Sequence, residues 1–368
     1  MPTRRGILQA LACLPLASRG LFTQATPSRG LACALGERAD ASLLPPARRE
    51  GESLALALFG SSRPAADELR DLTSAADSVW IELPSAEDKG ADESPLIRRV
   101  RAAASVTLLD GALMDWLLTL WPPGRRSAIS AALVECAVTG GRVIGRGAAS
   151  LLVAAGGVAR GPTNDEPGES RVRLANPRES GEPRLAHGLR LCEGLFVDTH
   201  ARSGGSLLRL LSTLIENHEE HGMLLGARSV LCCDVETRDW SALGTDPVIF
   251  LDLSEARRRA ESVERARLSV LAAGDGWRAE ARRLSSTGAA ASFGEAASPS
   301  SSSDGLSVAA LLAPPLVSRV ASDARTRVFL RQGSEARVFA GPEGAPTRAH
   351  HMLLDVTLLR GRFGELGV

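Results

Sequence analysis

Apolar residues gather in short blocks, separated by turns rich in glycine, serine and charge. Ser53-Leu-Ala-Leu-Ala-Leu-Phe59 ends in Gly60-Ser61-Ser62, Ser78 to Leu83 forms a second block, and Ala103 to Leu109 a third that ends in Asp110-Gly111. Uninterrupted apolar runs of this length suit strands buried on both faces of a parallel sheet, with a helix starting near Pro64 after the first. Ala128 to Val138 reads as a helix leading to Gly140-Gly141, Arg142 to Gly145 as the next strand, and Ala148 to Ala155 as a helix. Leu191 to Val197, Val230 to Cys233 and Val248 to Leu253 supply later strands. The alternation predicts an α/β fold, a three-layer sandwich with a mostly parallel central sheet covered by helices. Sites in such sheets lie at the carboxyl ends of the strands. That rule singles out Gly60, Asp110, Gly145 to Gly147 and Asp198 to His200.

The two ends of the chain read differently. Residues 1–34 have the form of an export leader: Thr3-Arg4-Arg5-Gly6-Ile7-Leu8 resembles the twin-arginine signal, and the apolar stretch Ile7 to Ala17 is too short to span a bilayer. Arg19 interrupts the apolar character, and Thr23-Gln24-Ala25 and Ala32-Cys33-Ala34 both offer cleavage sites. A chain with this leader is exported folded, to the periplasm or cell surface, with no integral membrane segment after its removal. Residues 35–52 read as a linker, 53–291 as the main domain, 292–305 as a Ser-rich linker and 306–368 as a small β-rich region. In that last region Thr326 to Leu330 and Ala336 to Phe339 flank Gly333-Ser334 as a hairpin; completion of the main sheet is the other arrangement.

Composition narrows the function classes. With 368 residues, 44% hydrophobic and 23% charged, the chain is globular, and a formal net charge of zero leaves no electrostatic footprint for nucleic acid. Lys89 is the single lysine and tyrosine is absent, a bias of lineage. The six cysteines show no CxxC spacing, which argues against a zinc site or disulfide framework; Cys232 and Cys233 read as small buried hydrophobes. Gly140-Gly141 and Gly156-Gly157 do not make a phosphate-binding GxGxxG loop, and no cofactor is expected. His218-Glu-Glu-His221 places its histidines three apart, where the HExxH zinc motif needs four, so it reads as a solvated helical face.

The chemistry concentrates at Gly140-Gly-Arg-Val-Ile-Gly-Arg-Gly-Ala-Ala-Ser150, which has the shape of a nucleophile elbow. A side chain at such a turn points out of the sheet, with backbone N–H groups beside it for an oxyanion. The segment resembles the GTSAGA elbow of the cyanophycinase family of serine peptidases. Gly145 falls on its first glycine, Arg146 on threonine, Gly147 on the nucleophilic serine, Ala148 on alanine, Ala149 on glycine and Ser150 on the last alanine. Gly194-Leu-Phe-Val-Asp198-Thr-His200 is similar to the family's GLLPGVIVDQHF, with His200 on the catalytic histidine, and Arg209-Leu210 matches the end of the arginine-containing helix that follows. Val230 to Thr237 resembles GIGIDEDTA, with Asp234 on its Asp, Val235 on its catalytic Glu and Glu236 the nearest carboxylate. Leu268 to Asp275 resembles VHVLAPGD. The resemblance runs from about Ser53 to Arg283 and implies a class I amidotransferase-like sheet and an exopeptidase site for Asp–Arg isopeptides or acidic dipeptides.

The departures cluster at the chemistry. FTGGDQ appears here as Leu108-Leu-Asp-Gly-Ala-Leu113, so its Asp and Gln have become Ala112 and Leu113. A glycine at 147 cannot form an acyl-enzyme. The resemblance therefore implies a site of Gly147, His200 and Glu236, with Asp110, Gly111, Arg146, Ala148, Asp198, Arg209 and Asp234 around it. Its expected role is a non-catalytic pocket for a peptide or small ligand, with homodimer formation open. The alternative is an active peptidase using Ser150 as a displaced nucleophile, although Ser150 lies a helical turn past the elbow. A cysteine-dependent relative is disfavoured, since Cys136 and Cys192 lie away from the turn. Asp198 as a helix cap and His200 as an ordinary strand-end histidine are the plain readings.

Overall fold

Two large sheets, not one, organise the chain. The computed structural model describes residues 30–58, 60–73, 75, 77–83, 95–122, 126–160, 184–199, 207, 210, 211, 213–215, 217–259, 262–286, 300–302, 318–322, 326–331, 337–340 and 346–358. The first sheet begins with β1 (Leu31–Leu35), β2 (Ser53–Ala57), β3 (Val79–Glu82), β4 (Ser105–Leu108) and β5 (Arg142–Arg146), parallel in the order β3-β2-β4-β5-β1. Between them run α1 (Ala66–Thr73), α2 (Pro95–Ala102), α3 (Leu113–Leu120) and α4 (Ala128–Val138). Here the apolar blocks and helices alternate as expected.

Past β5 the order changes. A short helix α5 (Ser150–Val153) leads to β6 (Ala154–Arg160), β7 (Arg184–His187), β8 (Cys192–Asp198), β9 (His221–Leu225), β10 (Ser229–Asp234), β11 (Trp240–Gly244) and β12 (Val248–Asp252). Strand β10 returns to the first sheet antiparallel to β1, and β11, Gly276–Arg278 and Arg283–Ser285 extend it antiparallel. The second sheet runs β7-β6-β8-β9-β12 and continues through Ser262–Leu271, Pro346–Leu358, Thr326–Arg331 and Ser318–Ser322 to Ser300–Ser302. The fold is thus mixed α/β with two large sheets and few helices, and the expected mostly parallel central sheet is corrected: half of the first sheet and most of the second are antiparallel. Only three to five residues separate β9 from β10, β10 from β11 and β11 from β12. A parallel connection needs a crossover of about a dozen or more, so these short links force reversal or a change of sheet. The C-terminal strands complete the second sheet. Thr326–Arg331 and Arg337–Ala340 do not pair as the expected hairpin; each pairs with Pro346–Leu358.

Strand β1 lies where the sequence reads the end of a leader. Its five residues are all buried, and it joins the two halves of the sheet, with Cys33 opposite both Cys232 of β10 and Ile144 of β5. The adjoining stretch read as a linker is packed too: Ala39, Ala41 and Leu44 bury against Leu31, Cys33, Leu35, Ile144, Val230 and Cys232. Four arginines hold this strap. Arg142 and Arg146, on one face of β5 because alternate strand residues share a face, donate to the carbonyls of Pro45 and of Ala39 (3.1 Å). Arg49 reaches from the strap to the carbonyls of Ala103 (2.9 Å) and Arg101 (2.7 Å) and to Thr139 Oγ1 (2.7 Å), closing the ends of α2 and α4. Arg48 pairs with Asp234 at 2.9 Å. Burial lowers the pKa of Arg142 and Arg146, yet a guanidinium starts so high that both stay charged. On the sheet's other face, Ala32, Val143 and Cys233 join α4 and the second sheet in the main core. Trp116 of α3 is fully buried there, and its Nε1–H donates to the Leu109 carbonyl at 3.1 Å, anchoring the loop that carries Asp110.

Candidate functional site

The elbow forms where expected. Strand β5 ends at Arg146, a single 3-10 turn covers Gly147–Ala149, and α5 starts at Ser150. Gly147 has φ +52°, the left-handed region that strains a residue with a side chain. Gly145 is needed for a different reason: a Cβ there would stand 2.3 Å from the Ala149 carbonyl oxygen, so the helix could not fold back onto the strand.

The loop after β4 faces this turn and fills it. The Asp110 Oδ1 accepts from the backbone N–H of Gly111 and of Ala148, each at 3.0 Å. A Cβ on Gly147 would lie 2.5 Å from the Asp110 Cγ and Oδ1. In a nucleophile elbow, the N–H after the nucleophile and one from a neighbouring loop are the donors that hold the oxyanion. Here a carboxylate of the chain itself occupies those donors and the space where a nucleophile's side chain would begin. Arg146 supplies favourable charge nearby, its own pKa lowered by burial against the opposing pull of Asp110 and Asp40. Ser150 is fully buried, and its Oγ–H donates to the Gly147 carbonyl at 2.7 Å. The hydroxyl is engaged and faces inward.

The structure brings together Asp110, Gly111, Arg146, Gly147 and Ala148 from the sequence reading. Ala112 is exposed and Leu113 half-buried at the start of α3. Asp198 is buried at the end of β8, in register with Leu224, so it belongs to the second sheet and not to the sheet that carries the elbow. Asp234 and Glu236 lie at the other end of the first sheet: Asp234 is opposite Leu31, which is opposite Arg142, whereas Gly147 follows Arg146. Four residues of strand place them about 13 Å further along the axis. Asp234 Oδ1 accepts from the N–H of Glu236 (3.1 Å) and Thr237 (2.9 Å) and shapes the turn, while Glu236 is exposed. Burial pushes the Asp234 carboxyl up, but those N–H groups and Arg48 outweigh it and leave its pKa below 3.8. Grouping these carboxylates with the elbow is therefore corrected, because an antiparallel β10 carries its carboxyl end away from it. His200 and Arg209 lie outside the described residues.

Sequence reasoning missed a cleft at that far end. It has a volume of about 330 Å³ and is walled by His221, Trp240, Phe250 and Trp277, with Cys192 and Cys233 among its lining. Trp240 and Trp277 are cross-strand partners, and His221 stacks on Phe250 with centroids 5.7 Å apart. Arg238 and Glu193 pair across the mouth at 2.5 Å. His221 begins a strand, where the sequence suggested a solvated helical face; the turn at His218, with φ +58°, ends the preceding segment. The buried His221 Nε2 has no hydrogen-bond partner among the described residues and lies 3.6 Å from an Asp252 carboxylate oxygen. Burial lowers its pKa below 6.5, with Asp252 opposing. The folded chain then binds this proton less readily than the unfolded one, so stability declines as pH falls below about 6.5 and levels off beneath the folded pKa. Urea midpoints at about pH 7.5 and pH 5.5 should differ less in His221→Gln than in the wild type.

Solved structures similar to the chain include the crystal structure of a peptidase from an acI-B1 Actinobacterium, 13% identical, with a TM-score of 0.45, covering 68% of this chain and 97% of that chain. At that identity and score the likeness assigns neither family nor activity. No protein-family model matches the chain, and no curated protein matches it. Among the described residues no group of three or more His, Cys, Asp or Glu is arranged to hold a metal ion, and no helix is long and apolar enough to cross a membrane.

Proposed function

We propose that the protein is an exported, non-catalytic relative of the cyanophycinase-type serine peptidases, which keeps the elbow of that site as a scaffold and binds a peptide or small ligand. The carrying observation is the Asp110 carboxylate on the Gly111 and Ala148 N–H groups, in the space above Gly147. Two exchanges relative to the resembled pattern fit each other there. Glycine replaces the serine of the elbow, and Asp110 stands on the first glycine of the FTGGDQ loop. Loss of the hydroxyl alone would leave two donors open to an anion; the carboxylate occupies them. An exopeptidase relying on Ser150 finds no support in a buried hydroxyl already bonded to Gly147. Export rests on the twin-arginine-like leader and carries the folded protein to the periplasm or cell surface.

The test is hydrolysis of β-Asp–Arg and α-Asp dipeptides by the purified protein, followed by labelling with a serine-reactive fluorophosphonate. The wild type should show neither turnover nor an adduct. Turnover that Ser150→Ala abolishes would overturn the reading, since a displaced nucleophile would then be at work.

A further inference from the structure

Neighbouring residues on a strand face opposite sides of the sheet, so the vicinal Cys232 and Cys233 of β10 point away from one another. Each meets a cysteine from elsewhere in the chain. Cys233 faces Cys192 of the second sheet, whose thiol pKa is raised first by its hydrogen bond to Cys233 and then by burial. Cys232 meets Cys33, its partner in the β1–β10 register, with the two sulfur atoms 3.3 Å apart. Residues directly opposite on antiparallel strands have Cα atoms about 4.5–5.5 Å apart, within the range that a disulfide spans. Closing from 3.3 Å to about 2.0 Å asks only a small turn of each side chain.

We infer that Cys33 and Cys232 are a covalent modification site, a thiol pair that forms an intramolecular disulfide when the protein meets a disulfide oxidant. The surroundings set the order of events. Cys232 is 6% exposed and Cys33 fully buried, both beneath the strap residues Ala39, Ala41 and Leu44, so Cys232 is the sulfur an oxidant meets first. The Cys232 thiol pKa is raised well above its ordinary value, first by the hydrogen bond with Cys33 and then by burial, with the Arg142 guanidinium opposing, so the exchange is slow and the 3.3 Å approach of the two sulfur atoms carries it. The Cys232 thiolate attacks the oxidant's S–S bond, giving a mixed disulfide and one released thiol. The Cys33 sulfur, losing its proton, then displaces the second thiol from Cys232. Two thiols of the protein are oxidised by two electrons, one disulfide of the oxidant is reduced, and both protons leave with the released thiols. The bond ties β1 to β10 across a separation of 199 residues. This inference does not depend on the reading of the elbow.

The full-length wild type is incubated with oxidised glutathione, denatured at low pH with a thiol alkylator, digested with trypsin without reductant and mapped by mass spectrometry. The expected product is peptide 30–38 joined to peptide 229–238, about 2 Da below the sum of the two free peptides and lost on reduction. Cys33→Ala should lose this species, while Cys232→Ala, which removes the acceptor and keeps Cys233, should lose it as well. Peptide 229–238 found joined only to peptide 191–202 would assign the redox chemistry to Cys192 and Cys233 and overturn the inference. So would full alkylation of Cys33 and Cys232 after oxidation.

Discussion

A Gly147→Ser variant is expected to lose about 2–3 kcal/mol of stability, and an added Asp110→Gly change to return at least about 1 kcal/mol of it. Two costs combine in the single variant. A residue with a side chain is forced into φ +52°, and its Cβ falls 2.5 Å from the Asp110 carboxyl group. Asp110 is exposed at the end of a loop, so its side chain can rotate away, but it then gives up the N–H groups of Gly111 and Ala148. In the double variant the collision is gone and only backbone strain remains. Asp110→Gly alone should cost well under 1 kcal/mol beyond the general effect of glycine, because water can reach the freed donors. Denaturant midpoints for the four chains close the cycle. Additive energies would mean that the carboxylate does not stand in the way of a side chain at 147.

The second large effect concerns where a leader can end. A chain beginning at Thr26, after Thr23-Gln24-Ala25, keeps β1 whole and should fold. A chain beginning at Leu35, after Ala32-Cys33-Ala34, loses four of the five residues of β1 and should not. That strand lies between β5 and β10, and its removal strips both neighbours of their hydrogen-bond partners in the interior of the sheet. Leu31 and Cys33 also leave the cluster beneath the strap, at about 1.5–3 kcal/mol for a fully buried leucine alone. Together these losses rival the roughly 5–15 kcal/mol that holds a domain folded. Circular dichroism and size-exclusion chromatography of the two purified chains decide the matter. A folded chain starting at Leu35 would contradict the central place of β1.

The sequence was most legible where local pattern and burial agree. Strands β2, β3, β4 and β5 and helix α4 stand where their apolar blocks predict; β2, β4 and β5 are buried on both faces and write themselves as unbroken apolar runs, and the half-buried edge strand β3 keeps the same character. Strand β1 was hidden for the same reason: Leu-Ala-Cys-Ala-Leu reads equally well as the end of an apolar leader, and no local signal separates the two. Of the strands after α5, the apolar blocks mark β8, β10 and β12 singly, but their partners depend on register between distant segments, which periodicity does not encode. The elbow was legible from its small residues. Asp110 is placed near it by the sequence, yet its part as the group filling the elbow comes only from three-dimensional proximity; the departures at 110 and 147 from the pattern these segments resemble are the available signal. The aromatic cleft left none, because His221, Trp240, Phe250 and Trp277 come from four separate strands.

Strand β1 also sets a timetable for synthesis. The ribosome delivers it before either of its neighbours, and β5 can receive it once residue 146 has emerged. Its other neighbour, β10, is completed only at Asp234. Until then one edge of an apolar strand stands open, a template for pairing with any other extended segment. The nascent chain therefore passes through a long interval in which a protective partner, or delayed release of the first strand, would most improve its yield. Closing a loop of this length adds little to the final free energy but slows its attainment, so the exposed edge weighs on the rate of folding more than on the stability of the finished sheet.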